Sequence, residues 1–426
     1  MSRQKTIKSI QKTIKASARL ISVRRVPSWA WILLVAGLLR LAWVLYSPVV
    51  PVSDFEEYRR LATSIAQGMG YSYDGQPTAY RPVGYPLFLA GIFWLPGGSV
   101  AAAKLTQVLL GILTVYLTYR LGAQVFQQRT GEVAAWIVAC MPSLIAYTSL
   151  LASENLAIPL LLLAMLAFVR YLQSGKYRHA FVAGLLCGLT TLVRSEALLL
   201  PLAWMIYLAL RRQPLEVLAR VGLTLVAAVA LALSPWIVRN YLAFGRFVPA
   251  TSNGGILLLA AFDEYTDDPE RHSEVFSRLA EEARATNLDE FETSSLAARK
   301  AVDYIQRQPW QVARLVPVKL FELLRDDISG ISWNFWLTSR EVPPLSILAL
   351  KGLAQLYYVI VVLSSLAAFI YRKSLISYPL YLLLLLPILV WLLYFAFFIA
   401  TDRYHLLILP LVAQFSAFSI RERWGK

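Results

Sequence analysis

Long apolar runs dominate this chain of 426 residues and limit what it can fold into. A run of about 20 apolar residues is long enough to cross the hydrocarbon core of a bilayer as a helix. Hydrophobic residues make up 58% of the chain and charged residues 16%, whereas soluble domains have about 45–50% and about 25%. We therefore predict an all-α polytopic membrane protein with about ten transmembrane helices, drawn from the runs 28–47, 100–122, 130–149, 153–173, 178–194, 196–210, 217–238, 346–371, 377–400 and 404–420.

The placement of positive charge predicts the orientation of these helices. The net charge is +15, and the first 25 residues hold eight Lys and Arg before the first acidic residue, Asp54. Loops rich in Lys and Arg stay in the cytoplasm, so residues 1–27 are predicted to be a cytoplasmic basic arm rather than a signal peptide or a nucleic-acid-binding arm. The remaining basic loops put both termini in the cytoplasm; they lie at 120–129, 170–178, 211–220, 372–373 and 421–426.

This topology divides the rest of the chain into three parts. An N-terminal membrane module is predicted at 28–238, with a first outer loop at 48–82. Within it, residues 83–95 are apolar but too short for a span, and we expect a re-entrant or interfacial helix there. Residues 239–345 form an extracytoplasmic soluble α-rich insert, and 346–426 form the last membrane helices.

The predicted insert differs in composition from its surroundings. It holds 16 of the 26 acidic residues and 12 basic residues. The stretch Asp268 to Arg307 has helical periodicity, with plausible helix caps at Ser273, Asp289 and Thr293.

Cysteine and histidine point to no redox or metal chemistry. Cys140 and Cys187 lie in apolar runs, and His179, His272 and His405 are far apart in the sequence. This arrangement offers neither a disulfide framework nor a spaced metal-ligand motif.

Charged residues collect where the predicted helices reach the outer side. Asp54, Arg81, Glu154, Arg194 and Arg403 lie at the ends of runs far apart in sequence. Helix ends at one depth of a bundle are neighbours, and charges there usually face a cavity or a partner. Arginines bind phosphate with bidentate hydrogen bonds, and an adjacent carboxylate can accept a proton from an attacking hydroxyl. The pattern favours a lipid-phosphate site at this interface.

Simpler roles remain open for these residues at this stage. The arginines could be interfacial anchors that reach lipid headgroups. Asp54 could serve only as a helix N-cap, and Ser153 with Glu154 could cap the helix that follows them.

Short motifs at the same positions resemble the GT-C superfamily of polytopic glycosyltransferases, in particular the group of dolichyl-phosphate-mannose protein mannosyltransferases and aminoarabinose lipid-A transferases. The resemblance covers most of the chain except the insert beyond its opening. It implies transfer of a hexose or pentose from a polyprenyl-phosphate donor to an acceptor on the extracytoplasmic face, with inversion of the sugar. The matching stretches are Asp54–Tyr58, Thr78–Leu87, Ser153–Asn155, Leu192–Glu196, Arg239–Gly245 and Asp402–His405.

The resemblance also implies roles for individual residues. Asp54 matches the family's catalytic acid, which would act as the general base on the acceptor, and Glu154 would assist in the acceptor or sugar site. The donor phosphate would be bound by Arg81, Arg194, Arg403 and Tyr404. Auxiliary candidates are Glu56, Glu57, Glu196 and Arg239.

The resemblance is incomplete in ways that bear on the cofactor. The first loop has Asp54-Phe55-Glu56 rather than an adjacent Asp-Glu pair, and no clear Asp-x-Asp flanks Glu154. A divalent metal is possible, but no metal or other cofactor is predicted. The expected partners are the lipid-linked donor, a protein, lipid or glycan acceptor and membrane lipids, without nucleic acid. The expected location is a bacterial inner membrane.

Two other classes of function compete with transfer. A transporter or flippase of lipid-linked saccharides would also need interfacial arginines, but it predicts polar residues through the middle of several spans. Only Arg40, Lys104 and Lys351 are mid-span charges of this kind. A structural scaffold for the insert predicts that replacing the outer arginines affects stability alone.

Overall fold

The computed structural model describes residues 27–47, 49–263, 269–336, 342–399 and 401–424. The predicted basic arm, apart from its last residue, lies outside the described residues. Up to residue 210 the helices are α1 (Ser28–Tyr46), α2 (Asp54–Ala66), α3 (Gly84–Trp94), α4 (Val100–Val125), α5 (Gln128–Ala139), α6 (Pro142–Tyr147), α7 (Glu154–Ser174), α8 (Tyr177–Val193) and α9 (Leu200–Leu210). A 3₁₀ turn at Ser195–Leu199 precedes α9, and a hairpin of β1 (Ser72–Tyr73) and β2 (Gln76–Pro77) follows α2.

The second half of the chain is equally helical. Its helices are α10 (Leu215–Phe244), α11 (Gly254–Ala261), α12 (Pro269–Ala285), α13 (Glu290–Arg307), α14 (Pro309–Leu324), α15 (Ser329–Phe335), α16 (Pro344–Ala367), α17 (Arg372–Ile376), α18 (Tyr381–Ala396) and α19 (Leu409–Trp424). A 3₁₀ turn at Asp402–Leu407, called the 402–407 turn below, precedes α19. The predicted all-α class is therefore confirmed.

Within the described residues, five helices are long and apolar enough to cross a membrane: α1, α4, α7, α10 and α16. Shorter apolar helices are α3, α8, α18 and the segment 195–210. The chain is a multi-pass membrane protein, as predicted, and the count of about ten spans stays a prediction. The short apolar piece predicted at 83–95 forms the 11-residue helix α3.

The apolar run 130–149 is not one helix, contrary to the prediction. Helix α5 ends at Ala139, and α6 begins at Pro142. Proline has no amide hydrogen and disfavours a helical conformation in the residue before it, so it is suited to the first turn of a new helix. Another predicted end was too early, because α10 continues past residue 238 to Phe244.

Small residues let two membrane helices approach closely. A Cβ atom on Gly188 would lie 2.6 Å from the Cβ atom of Ala232, and one on Gly184 would lie 2.9 Å from the carbonyl oxygen of Leu225. These two glycines are four residues apart on α8 and face α10, which is the spacing that permits close helix packing in membranes. The contact fixes the end of α8, where Arg194 follows.

Helix α2 lies over one end of the bundle and carries Asp54 at its first position. One face of α2 is buried and consists of Phe55, Tyr58 and Leu61. Their packing fixes the position of this otherwise polar helix. After the hairpin turn, where Asp74 and Gly75 both have positive φ, the chain returns through Arg81 to α3. Such a turn matches the twist of a two-residue hairpin and favours Asp-Gly.

Helices α11 to α15 lie within the predicted insert. The side chain of Asp289 accepts hydrogen bonds from Phe291 and Glu292, and the Glu292 carboxylate accepts one from the Asp289 amide. Asp289 is therefore a cap, as predicted, through a capping box. Ser273 and Thr293 lie inside α12 and α13, so these two predicted caps are wrong.

Candidate active site

One continuous chain of ion pairs connects seven side chains at one end of the bundle. Acidic and basic groups alternate along it, and we call this set the ion-pair chain: Glu57, Arg81, Asp54, Arg403, Glu154, Arg194 and Glu196. They come from α2, the segment before α3, the start of α7, the segment after α8 and the 402–407 turn. The structure thus brings together the five charged residues that the sequence placed at helix ends.

Arg403 occupies the middle of the ion-pair chain. Its Nη1 group donates to Asp54 Oδ2 at 2.9 Å, while its Nε and Nη2 groups donate to the two oxygens of Glu154, Nη2 at 3.2 Å. This fork-shaped contact with Glu154 is the bidentate geometry that favours arginine over lysine. Arg403 therefore joins two carboxylates that are 100 residues apart in the sequence.

The other two arginines extend the ion-pair chain in opposite directions. Arg81 donates to Asp54 Oδ1 and to Glu57 Oε2, each at 2.6 Å. Arg194 donates to Glu154 Oε1 at 2.6 Å and to Glu196 Oε1 at 2.7 Å. As a result, both oxygens of Asp54 accept from arginines, and so do both oxygens of Glu154.

Burial varies along the ion-pair chain. The side chain of Glu154 is 1% exposed and that of Arg194 is 8% exposed, whereas Asp54 is 28% and Glu57 is 38% exposed. Removing ionised groups from water is costly, and the cost is recovered only where the geometry and hydrogen bonds are good. The buried end is thus held rigidly, and the end at Asp54 and Glu57 is open to solvent.

The ion-pair chain borders a cavity of about 90 Å³, enough for several water molecules. Five of its charged members line the cavity: Asp54, Arg81, Arg194, Glu196 and Arg403. Glu154 is not among the lining residues; it binds two arginines that are. Glu154 therefore contacts the cavity through Arg194 and Arg403. The place at the acceptor or the sugar that the resemblance implied for Glu154 stays a prediction.

Neutral and aromatic side chains complete the cavity. Thr251, Asn253, Tyr394, Phe395 and Phe398 are among them. Tyr404 also lines it: its ring stacks on Phe395 with centroids 4.7 Å apart and lies 5.2 Å from the Arg194 guanidinium carbon. The cavity thus combines charged groups with polar and aromatic surface.

Asp54 is the first residue of α2 and not its N-cap. Ser53 occupies the N-cap position of α2, so the alternative role of Asp54 as the N-cap is wrong. Ser53 has φ +50° and ψ −132°, a conformation that costs a non-glycine residue free energy and clusters at functional sites. The Ser153 side chain likewise makes no capping hydrogen bond to α7.

The arginines set the protonation state of Asp54. Burial by itself would raise the pKa of the Asp54 carboxyl, but the positive charges of Arg403 and Arg81 outweigh burial and hold this pKa below its ordinary value. The carboxyl is therefore ionised at neutral pH. It can accept a proton, but it does so weakly while both arginines bind it.

Two auxiliary candidates lie away from the cavity. Glu56 pairs with Arg59 on the exposed side of α2. Arg239 donates to the carbonyl oxygens of Tyr71 and Thr78 at 2.6 and 2.7 Å, and it therefore holds the hairpin segment in place. The other two, Glu57 and Glu196, are members of the ion-pair chain.

Each carboxylate of the ion-pair chain faces an arginine. A guanidinium group in that place competes with a cation. Among the described residues, no three His, Cys, Asp or Glu side chains come close enough together to hold a metal ion. The expectation of no metal cofactor stays a prediction.

Sequence reasoning missed several residues of this region. Thr251 and Asn253 carry no charge and stand in no motif, so no sequence pattern indicates them. Asp402 and His405 were part of the resembling motif, but their partners Ser329 and Asp327 lie more than 70 residues away in the predicted insert. Only a three-dimensional structure pairs positions at such a separation.

Comparison with known proteins supports the resemblance. Residues 80–238, which include Arg81, Glu154 and Arg194, match the sequence model of the dolichyl-phosphate-mannose-protein mannosyltransferase family. No curated protein matches the chain.

Solved structures show the same fold. The archaeal oligosaccharyltransferase AglB from Archaeoglobus fulgidus, in complex with an inhibitory peptide and a dolichol-phosphate, superposes with a TM-score of 0.54 at 15% identity, over 93% of this chain and 50% of that chain. Its apo form gives a TM-score of 0.55 at 14% identity, with the same coverages. ArnT from Cupriavidus metallidurans, bound to undecaprenyl phosphate, is 12% identical with a TM-score of 0.46, over 91% of this chain and 77% of that chain.

These comparisons define the class of fold. AglB is a GT-C glycosyltransferase, and the TM-scores of 0.54 and 0.55 to its structures show that this chain has the GT-C fold, as the motifs predicted. The chain spans about half the length of the archaeal enzyme.

Proposed function

We propose that this chain is an integral-membrane glycosyltransferase that moves a sugar from a polyprenyl-phosphate donor to an acceptor on the extracytoplasmic face. The observation that carries the proposal is the ion-pair chain, which places three arginines and a solvent-accessible carboxylate around one cavity. A donor phosphate needs the arginines, and an acceptor hydroxyl needs the carboxylate. The GT-C fold gives the arrangement a precedent.

In this proposal Arg403, Arg81 and Arg194 bind the donor phosphate, with Tyr404 as a hydrogen-bond donor beside them. As the sugar is transferred, the bond between its anomeric carbon and the phosphate oxygen breaks, and polyprenyl phosphate leaves as an anion. Fixed positive charge near that oxygen stabilises the transition state more than the ground state. A phosphate leaves without protonation, so the reaction needs no general acid.

Asp54 acts as the general base in the same step. The acceptor hydroxyl oxygen attacks the anomeric carbon from the face opposite the phosphate, and its proton passes to Asp54. Attack from that face inverts the anomeric centre. Glu154 acts indirectly, by fixing Arg403 and Arg194 through both of its oxygens.

Donor binding would also activate Asp54. In the resting state Arg81 and Arg403 each bind one of its oxygens. A phosphate that takes over these guanidinium groups releases the carboxylate and removes the effect that keeps its pKa low. Asp54 then becomes a stronger base only when the donor is present.

The proposal includes a metal-free reaction, because arginines already neutralise the carboxylates of the site. It also includes cytoplasmic termini, from the positive-inside rule, and a bacterial inner membrane. The acceptor is a protein, lipid or glycan hydroxyl.

The test is sugar transfer by the purified protein in nanodiscs from radiolabelled polyprenyl-phosphate hexoses and pentoses to membrane extracts, with and without EDTA. We expect transfer that EDTA leaves unchanged and that Asp54→Asn lowers at least about 100-fold, as for loss of a general base. Asp74→Asn is the matched control, because Asp74 is an exposed aspartate paired with Arg60 away from the cavity. In sealed proteoliposomes of the same protein, donor movement across the bilayer without transfer would instead identify a flippase and contradict the proposal.

A further inference from the structure

Asp402 and His405 lie on either side of Arg403 and Tyr404, yet their side chains contact a different part of the molecule. The backbone amide of Ser329 donates to Asp402 Oδ2 at 2.8 Å, and the Ser329 hydroxyl donates to Asp402 Oδ1. Ser329 is the first residue of α15, in the predicted insert. Asp402 therefore ties the 402–407 turn to the start of that helix.

His405 makes a second tie to the same region. Its Nδ1 lies 2.7 Å from the carbonyl oxygen of Leu323, and its Nε2 lies 3.1 Å from Asp327 Oδ1. The ring also stacks on Tyr358, with centroids 4.9 Å apart. His405 and Asp327 are 1% and 3% exposed, and a buried polar pair of this kind is costly to break.

The two ties fix the place from which Arg403 reaches the cavity. Arg403 is one residue from Asp402 and two from His405, and all three lie in one 3₁₀ turn. The carbonyl of Tyr404, in the same turn, accepts a hydrogen bond from the indole of Trp391 at 3.1 Å. Site geometry must be held within about 0.5 Å for full effect, and an arginine has a long side chain with several free torsions. The backbone of this turn therefore needs external support.

We propose that Asp402 and His405 are positioning residues that couple the 323–329 segment of the insert to the phosphate-binding guanidinium of Arg403. Docking of this segment sets the position of the turn, and the turn sets the reach of Arg403. The insert then controls donor binding as well as any contact it makes with an acceptor. This inference rests on the proposed function, because it assumes that Arg403 binds the donor phosphate.

The test compares serine variants on α15 in the full chain reconstituted in nanodiscs. Ser329→Ala removes the hydroxyl that binds Asp402, and Ser329→Thr keeps it. Ser332→Ala is the matched control, because among the described residues the Ser332 hydroxyl bonds only to the carbonyl of Ile328, the N-cap residue of the same helix. Each variant is titrated with polyprenyl phosphate and with the phosphate-free polyprenol, and its thermal midpoint is measured.

We expect Ser329→Ala to weaken polyprenyl-phosphate binding about three- to tenfold, the size of one hydrogen bond, with polyprenol binding unchanged. Ser329→Thr and Ser332→Ala should both bind like the wild type. The inference is overturned if Ser329→Ala binds polyprenyl phosphate normally, or if it loses affinity for both lipids equally. If the wild type prefers neither lipid, the proposed function itself fails, which is a different outcome.

A second pair of variants tests the His405 tie independently. Asp327→Asn replaces the buried carboxylate that faces His405, and Asp326→Asn changes its partly exposed neighbour, which pairs with Arg325 instead. We expect only Asp327→Asn to weaken polyprenyl-phosphate binding relative to polyprenol. If the loss of polyprenyl-phosphate binding is proportional to the fall in thermal midpoint in both variants, the contact between His405 and Asp327 contributes to stability alone.

Discussion

Two buried arginines show how the partner of a charge decides what the charge can do. Arg403 is bound by carboxylates and borders a cavity. Arg40 is buried within the bundle and donates to three main-chain carbonyls, of Ala36, Val138 and Ala139, at 3.0 to 3.2 Å. Both guanidinium groups donate several hydrogen bonds, but to different kinds of acceptor.

The carbonyl partners of Arg40 identify it as a structural residue. Val138 and Ala139 end helix α5, and the last carbonyls of a helix lack intrahelical partners and carry partial negative charge. Arg40 therefore caps α5 from α1, and an incoming anion could not replace these carbonyls. Carboxylates are different, because a phosphate can take their place on a guanidinium group. Arg40 was one of the mid-span charges that a transporter could have used, and its contacts give it another role.

The largest effect should come from changing Arg403. Arg403→Lys keeps the charge but loses the fork that holds Glu154 and Asp54 together. We expect the turnover rate to fall about 10²- to 10³-fold, as for other groups that stabilise charge in a transition state. Sugar transfer under saturating donor measures it. Arg60→Lys, at an exposed pair on α2, should transfer normally; a small loss in Arg403→Lys would contradict the role.

Changing Arg40 should lower the stability of the protein and leave its activity unchanged. Arg40→Met leaves the carbonyls at the end of α5 without a donor, and unsatisfied buried groups cost about 1–3 kcal/mol each. We expect the free energy of unfolding to fall by about 2–4 kcal/mol, with the activity of the protein that stays folded unchanged. Denaturation in detergent measures the stability, and sugar transfer per folded molecule measures the activity. Equal loss of stability in Arg403→Lys, without specific loss of activity, would erase the distinction between the two arginines.

The pH dependence tests whether the donor releases Asp54. In the free protein the pKa of Asp54 is held low by Arg403 and Arg81, against the effect of burial, so kcat/KM should fall only below the ordinary aspartate range of about 3.9. In the donor complex the carboxylate is released, and the acid limb of kcat should lie at higher pH than that of kcat/KM. Rate profiles from pH 3 to 8 give both limbs. If the acid limbs of kcat/KM and kcat lie at the same pH, Asp54 stays bound to Arg81 and Arg403 throughout the reaction.

A smaller effect is expected from changing Lys319, whose surroundings differ from those of both arginines. Lys319 is a buried residue of α14, and its Nζ lies 3.3 Å from the ring centroid of Phe262. Among the described residues, this Nζ has no hydrogen-bond partner. Burial lowers the pKa of Lys319 to about 7, although the charge of Asp263 opposes the shift. An unfolded lysine holds its proton up to about pH 10.4.

The sign of the resulting pH dependence follows. Between pH 7 and 10 the unfolded state binds more protons at this residue, so stability should rise with pH over that range. Lys319→Met should remove this rise and raise stability at pH 7 by about 1–3 kcal/mol. Thermal unfolding at pH 7 and pH 9 checks both points. Lower stability of Lys319→Met at pH 7 would mean that the amine is stabilising where it lies.

The sequence was informative where a charge stands beside an apolar run. Asp54, Arg81, Glu154, Arg194 and Arg403 stood out because charge at membrane depth is costly, and the alternation of basic loops placed all five at one end. Their pairing order could not be predicted, because it depends on side-chain reach across five segments.

Other features gave a weaker signal or none. Arg239 stood in the resembling motif like the rest, but backbone carbonyls of the hairpin hold it elsewhere. Pro142 indicates the break between α5 and α6, but the continuous apolar run around it favoured the prediction of one helix. Asp327 and Ser329 carry no local pattern, and only the docking of the insert gives them a function.

The most direct test of this account is a structure of the protein with polyprenyl phosphate bound. We predict a phosphate oxygen within about 3 Å of the Arg403 guanidinium, with the resting hydrogen bond between Asp54 and Arg403 broken and Glu154 still bound to Arg403. A phosphate bound elsewhere, or at this cavity with the Asp54–Arg403 bond intact, would contradict the claim that the ion-pair chain is the donor site.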